Sequence, residues 1–350
     1  MGGIVTSIDL LEKTLLEDCM QALIDFGVSL VIALQRLGEW QIPIMDFFSQ
    51  LGTEDFFFIV LPLVFWSVDS ALGIRIAFIL IASSYINLIG KVSFAGPRPY
   101  WVSSHIQPWW PETSFGVPSG HAQHAMSVWG IIAVYKKQKW ITIVCAVLIF
   151  MIGFSRLVLG SHFPHDVVLG WLLGAFLLWV YIRYWDTMIN WLSGLTFQQH
   201  VGIAFLVSLI LIGLGLAVTG WRSDFQIPES WITNALRSGI APDPIDPNGV
   251  FTSAGTFFGL ALGAAWTHLR GGYQAEGPVL KRVLRYVIGL LGVIILWQGL
   301  GAVFPRGDGL LVYSLRFLRY TLVGWWISGG ALWIFQYFKL STPSSRSSSI

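Results

Sequence analysis

Apolar runs of roughly twenty residues recur along almost the whole chain, and this recurrence limits the fold more than any other feature. A run of that length crosses the ~30 Å hydrocarbon core of a bilayer as a helix. In that solvent each backbone N–H and C=O must find a partner within its own segment. The expected fold class is therefore all-α, a polytopic transmembrane helix bundle. Composition agrees, with 55% hydrophobic and 11% charged residues among 350, against about 25% charged in ordinary soluble domains. A net charge of +2 gives no electrostatic footprint for nucleic acid, so none is expected as a partner. The 18 Trp suit the two membrane interfaces. Cys19 and Cys145 are too few for a disulfide framework or a cysteine-rich metal site.

Hydropathy places about ten spans, near 21–37, 54–70, 73–93, 119–136, 139–158, 164–184, 198–219, 250–269, 283–303 and 317–338. Asp25 and Gln35 interrupt the first, so an interfacial amphipathic helix is its alternative. Met1 to Asp18 is acidic and lacks the basic start of a signal peptide. Gly2 with Thr6 matches a myristoylation pattern by chance-level similarity. Residues 228–240 place Trp231, Ile232, Ala235, Leu236 and Ile240 at helical spacing and read as a short amphipathic helix on the membrane surface. Residues 241–249, rich in proline and aspartate, form a loop. The organisation expected is a core over 1–185, additional spans over 198–340 and a Ser-rich disordered tail over 341–350.

Orientation follows the Lys/Arg bias. Arg75, the cluster Lys136, Lys137 and Lys139, Arg183, and the group Arg270, Lys281, Arg282 and Arg285 fall on alternate turns and mark the cytoplasmic side. The stretches 38–53, 94–118, 159–163, 220–249 and 304–316 then face outward, the last against the bias, since Arg306 and Arg316 outnumber Asp308. An integral protein of a bacterial cytoplasmic membrane is expected, and the absence of any Asn-x-Ser/Thr sequon fits that source.

Three polar strings interrupt the apolar pattern, each at the end of a run. Lys91 ends one helix, and Gly96-Pro97 breaks the chain before Arg98-Pro99. Pro118-Ser119-Gly120-His121 opens the next helix, with Ser119 as N-cap and free N–H groups suited to an anion. Ser155-Arg156 ends a third, and His162 precedes a helix that Pro164 begins. Asp166 follows four residues later, a spacing that lets its carboxylate hold one imidazole nitrogen while the other acts as nucleophile. Taken singly, Lys91 reads as a snorkelling helix-end lysine and His162–Asp166 as an ordinary cap. Taken together, they gather three cations and two histidines at membrane depth, where charge faces a polar cavity. His121, His124, His162 and His165 could be drawn as metal ligands, but Lys91, Arg98 and Arg156 would crowd a dication, with only Asp166 and Glu112 to offset them. An anion site is the better fit.

The strings K-x6-R-P, P-S-G-H and S-R-x5-H-x3-D resemble those of the type 2 phosphatidic acid phosphatase family, which shares its site with vanadium haloperoxidases. The resemblance covers roughly residues 20–185 and is complete at every motif position. It implies a six-helix membrane core in which Lys91, Arg98 and Arg156 bind the phosphoryl group, helped by Ser119 and the Gly120 N–H. It implies that His162 forms a phosphohistidine, Asp166 orients it and His121 protonates the leaving group. It implies no metal and no cofactor. The expected activity is hydrolysis of a lipid phosphate or diphosphate at the outer face. Alternatives are a lipid phosphotransferase using the same first half-reaction and, in a different class, a lipid transporter or flippase. The last four spans lie outside the resemblance. Their small-residue faces, such as Gly255, Gly259 and Gly263, suit close packing against the core, a lipid entry or a homo-oligomer contact.

Overall fold

The computed structural model describes residues 7–341, so the Gly2 pattern and the tail beyond Ser341 lie outside the described residues. Every regular element among them is helical. The first long helix, α1 (Ser7–Gln35), contains the uncertain first span. Two shorter helices follow, α2 (Ile42–Gln50) and α3 (Glu54–Leu63), bent by 51° at the break between them. Thr53 caps α3 by accepting a hydrogen bond from the Phe56 N–H. The chain continues through α4 (Ser70–Phe94), the single turn α5 (Pro99–Val102), α6 (Gly120–Lys136), α7 (Lys139–Val158) and α8 (Pro164–Ser193).

The second half holds α9 (Phe197–Trp221), α10 (Glu229–Leu236), α11 (Asn248–Leu269), α12 (Val279–Ile294), α13 (Leu300–Val303), α14 (Leu310–Trp325) and α15 (Ala331–Tyr337). Among the described residues seven helices are long and apolar enough to cross a membrane, or eight if the bent α2–α3 pair counts as one span. Three of the ten expected spans are not among those seven, and one of them, 54–70, is the second arm of the bent pair. α6 has 17 residues, and the last expected span is divided between α14 and α15 by a wider turn at Trp326–Gly330.

Small residues set how the second half packs. On α11, a Cβ added at Gly255 would lie 2.5 Å from the Phe317 carbonyl oxygen. Cβ atoms at Gly259 and Gly263 would collide with the Thr321 carbonyl and the Ser328 hydroxyl. The bare stripe lets α11 and α14 approach backbone to backbone. This pair then closes on the first half through Trp66, which is fully buried and donates from Nε1 to the Ile327 carbonyl at 2.9 Å. Tyr273 donates from its hydroxyl to the Trp66 carbonyl at 2.6 Å.

The segment 222–243 departs from the sequence expectation of a helix resting on the bilayer. Part of the apolar face of α10 lies on protein, while Leu236 and, beyond the helix end, Ile240 stay exposed. Trp231 packs against Trp101 with ring centroids 6.2 Å apart, and Ala235 is buried in the same cluster as Tyr100 and Phe115. Four hydrogen bonds fasten this strap to the 93–113 region. Arg222 Nη2 donates to Ser93 O, Asn234 Nδ2 to Trp101 O, Arg237 Nη1 to Ser104 O, and Asp243 N to Thr113 O. Aromatic area on α5 supplies an apolar partner for the Trp231 side of the helix.

Candidate active site

Helix ends bring the polar strings together. α4 stops at Ala95, which takes the left-handed conformation with φ of 50°. The chain turns back, and Arg98 precedes Pro99 at the start of α5. α6 begins at the Ser119 cap, whose hydroxyl accepts from the Ala122 N–H and whose own N–H donates to the Asp166 carbonyl at 3.0 Å. α7 ends beside Arg156, and α8 starts with Pro164 in its first turn. Glycine is required at one point of this junction. A Cβ at Gly116 would lie 2.5 Å from the Pro97 carbonyl oxygen and 3.2 Å from Asp166 Oδ2.

Arg98, Arg156, His162, Asp166 and Ser119 are all fully buried. Each guanidinium is held by several acceptors. Arg98 donates from Nε to Ser114 O at 2.7 Å, from Nη1 to Ser161 O at 3.0 Å, and from Nη2 to Glu112 Oε2 at 2.6 Å and Phe115 O at 3.1 Å. Arg156 donates from Nη1 to Ser49 Oγ and from Nη2 to Glu112 Oε1, both at 2.5 Å. Lys91 Nζ donates to Ser114 Oγ at 2.7 Å and stands 3.7 Å from Glu112 Oε2. All three expected cations thus meet around a single carboxylate.

His162 lies between a donor and an acceptor. Its Nε2 is 3.3 Å from Arg98 Nη1, and its Nδ1 is 3.3 Å from Asp166 Oδ2. A guanidinium can only donate, so Nε2 is the lone-pair nitrogen and Nδ1 carries the proton. Asp166 Oδ2 also accepts from the Phe163 N–H at 2.8 Å, which fixes the carboxylate at the head of α8. Burial, and then the Arg98 charge, hold the His162 imidazole well below its usual range, so the ring is neutral near pH 7. The arrangement aims an unprotonated nitrogen at the cationic cluster.

His121 sits one residue into α6, and its Nε2 is buried without a hydrogen-bond partner. Trp110 joins it to the cations. The indole is edge-on to His121 at 6.4 Å and lies 5.5 Å from the Arg156 guanidinium carbon. Gly120 backs onto Asn87, with an added Cβ 3.0 Å from Oδ1. His124 faces the Ser84 hydroxyl at 3.3 Å. His165 Nε2 lies 3.2 Å from Asp166 Oδ1. Among the described residues no three His, Cys, Asp or Glu side chains converge as metal ligands.

Three participants were not assigned a role by the motifs. Glu112 bridges all three cations, Ser114 ties Lys91 to Arg98, and Ser49 anchors Arg156 from α2. Glu112 carried one signal, an acid placed among aromatics in Trp109-Trp110-Pro111-Glu112. Ser49 carried none. Burial alone would raise the Glu112 carboxyl, but Arg98, Lys91 and Arg156 hold it well below the ordinary carboxylate range.

Residues 72–190 match the family model described as the PAP2 superfamily. Residues 251–343 match one described as PAP2 superfamily phosphatase, transmembrane extension. Glucose-6-phosphatase 3 of Bos taurus is 24% identical over 359 residues, covering 94% of this chain and 100% of that protein. The Homo sapiens glucose-6-phosphatase 3 is 26% identical over 87% of this chain and 92% of its own. Among solved structures, a transmembrane PAP2 type phosphatidylglycerolphosphate phosphatase from Bacillus subtilis is similar over 53% of this chain and 98% of its own, at 22% identity and a TM-score of 0.42.

Proposed function

Because this chain belongs to the PAP2 superfamily, we propose that it is an integral membrane phosphatase that hydrolyses a phosphoric monoester through a covalent intermediate on His162. The observation that carries this reading is the His162 imidazole, with Nε2 free to attack beside Arg98 and Nδ1 held by Asp166. In the first step Nε2 attacks phosphorus, the bond to the alcohol oxygen breaks, and His121 protonates the departing alkoxide. In the second, His121 takes a proton from water, whose oxygen displaces the imidazole and releases inorganic phosphate. Lys91, Arg98 and Arg156, with the Ser119 hydroxyl and the Gly120 N–H at the head of α6, neutralise the equatorial oxygens of the transferring group. Charge that a metal supplies in other phosphatases comes here from side chains, so the reaction is read as metal-independent.

The alcohol is best read as a soluble one, with a sugar phosphate as the substrate class. Two observations support this over the lipid phosphate expected from the motifs. The glucose-6-phosphatases resemble this chain along nearly its whole length, including the last spans. The most exposed of the buried-site carboxylates, Glu112, lies in a loop whose exposed residues are Ser104, His105, Gln107 and Thr113, all polar. The lipid reading stands second, supported by the position of the site at the ends of membrane-length helices. On the charge bias of the loops, the site faces the side opposite Lys136, Lys137 and Lys139.

The test is phosphate release by the purified full-length protein in detergent with excess EDTA. The panel holds glucose 6-phosphate, phosphatidic acid, phosphatidylglycerol phosphate and a polyprenyl diphosphate. Faster release from the sugar phosphate is expected, and preferential release from a lipid would restore the second reading. Activity lost in EDTA and restored by zinc or magnesium would overturn the metal-free mechanism.

A further inference from the structure

Resting on that reading of the site, we propose that Glu112 is its selectivity residue: a built-in competing anion that a phosphoryl dianion, and not a monoanion, displaces from the three cations. The carboxylate spans the gap between the two guanidiniums as two phosphoryl oxygens would. Oε2 is 2.6 Å from Arg98 Nη2, and Oε1 is 2.5 Å from Arg156 Nη2. Lys91 Nζ stands 3.7 Å from Oε2. A phosphoryl group held by the same three cations needs the same space, so both cannot be bound in this way at once.

Charge decides which anions win the exchange. The cradle carries three positive groups and one carboxylate. Asp166 is committed to His162 and the Phe163 N–H and has no ion pair with the cations. A monoanion replacing Glu112 brings no more charge than it removes and must also meet the cost of entry. A dianion brings one additional negative charge into a buried, strongly interacting site. The carboxylate also spares the free enzyme three unpaired buried cations, which would be costly to hold.

The exchange needs only a side-chain rotation. The Glu112 backbone is fixed on both sides by one hydroxyl, with Tyr100 accepting from the Glu112 N–H and donating to its C=O, each at 2.9 Å. The Glu112 side chain is 21% exposed, whereas those of Arg98 and Arg156 are 0%. It therefore has a route toward water that the two guanidiniums lack. The same motion in reverse returns the carboxylate to the cradle after hydrolysis and drives inorganic phosphate out.

The experiment compares wild type, Glu112→Gln and Glu112→Asp as full chains in detergent. Binding of inorganic phosphate at pH 8 and of nitrate is read by thermal shift, and turnover by phosphate release. The neutral isostere should bind phosphate about tenfold tighter or more and should acquire nitrate binding that wild type lacks, as expected when about 1.4 kcal/mol of competition is removed per factor of ten. Its KM and kcat should fall together, because product leaves more slowly. If the isostere proves too unstable to purify, the shorter aspartate, which cannot span both guanidiniums, should show the same tightening to a smaller degree. A variant that binds phosphate equally well or more weakly would make Glu112 a brace and overturn the proposal. Wild-type binding and hydrolysis, lost in His162→Ala, would in that case leave the phosphatase reading intact. A wild type that neither binds phosphate nor releases it would instead remove the reading on which the proposal rests.

Discussion

At the scale of single residues, His162 is defined by two contacts, and removing each has its own signature. His162→Ala should abolish phosphate release, since no other side chain there can form the covalent bond. Near-normal release would rule out the mechanism. Asp166→Asn should lower kcat by roughly 10³- to 10⁴-fold, through loss of the tautomer that keeps Nε2 free. Arg156→Lys should cost about 10²-fold in kcat/KM, because an ammonium cannot replace a fork that reaches Ser49 and Glu112 at the same time.

Protonation adds a stability signature. His162 is neutral in the folded protein and held well below 6.5, so the unfolded chain binds more protons once pH drops under that value. Glu112 is held well below 4.5, so its contribution is present above that value and is lost as pH falls through the folded-state pKa. Both signs agree. These two contributions to the melting temperature should be constant above about pH 7 and be lost on acidification. His162→Ala should flatten the part of that loss just below pH 6.5. An acid-side fall of the same size in His162→Ala and in wild type would contradict the burial of a neutral imidazole.

Among the elements, helix ends were readable and loops were not. Ser119, Pro164 and Gly96-Pro97 are local signals that act within a turn of their own position, and the structure has helix boundaries at each. The glycine spacing on α11 indicated close helix packing but not its partner, which is α14 rather than the core. Gly259→Val should therefore force α11 from α14 at a cost of about 1–3 kcal/mol, read as a lower melting temperature. An unchanged melting temperature would show that the two helices can part freely. Glu112 and the seat of α10 were not legible, because each depends on a partner distant in sequence. For Glu112 that partner is Arg156 on another helix, and for α10 it is Trp101. Periodicity gives the apolar face of a helix and is silent on what covers it.

For the whole molecule, the all-α membrane architecture followed from hydropathy alone, while the count of spans did not. α6 stops at 17 residues, and Arg316 and Arg319 dilute the apolar run over α14 and α15, so neither stands out as a membrane-length apolar helix. Sidedness rests on the lysine cluster and can be measured. In a variant lacking Cys19 and Cys145, single cysteines at Ser103 and Gln138 should respond differently to a membrane-impermeant thiol reagent in intact cells. Position 103 should be modified and position 138 spared, and the reverse result would place the site on the cytoplasmic side.

The strap over residues 222–243 bears on how such a chain can be shortened. All three signature strings end by Asp166, and a fragment stopping after α8 would contain each of them. It would lack the four hydrogen bonds that restrain the 93–113 region, one of which ends on Thr113 beside Glu112. A protease nick within the strap would leave the catalytic inventory untouched while freeing the loop that sets its geometry. The signature in this molecule is therefore not a portable module. The later half of the chain holds part of the active site in place without contributing a reacting atom to it.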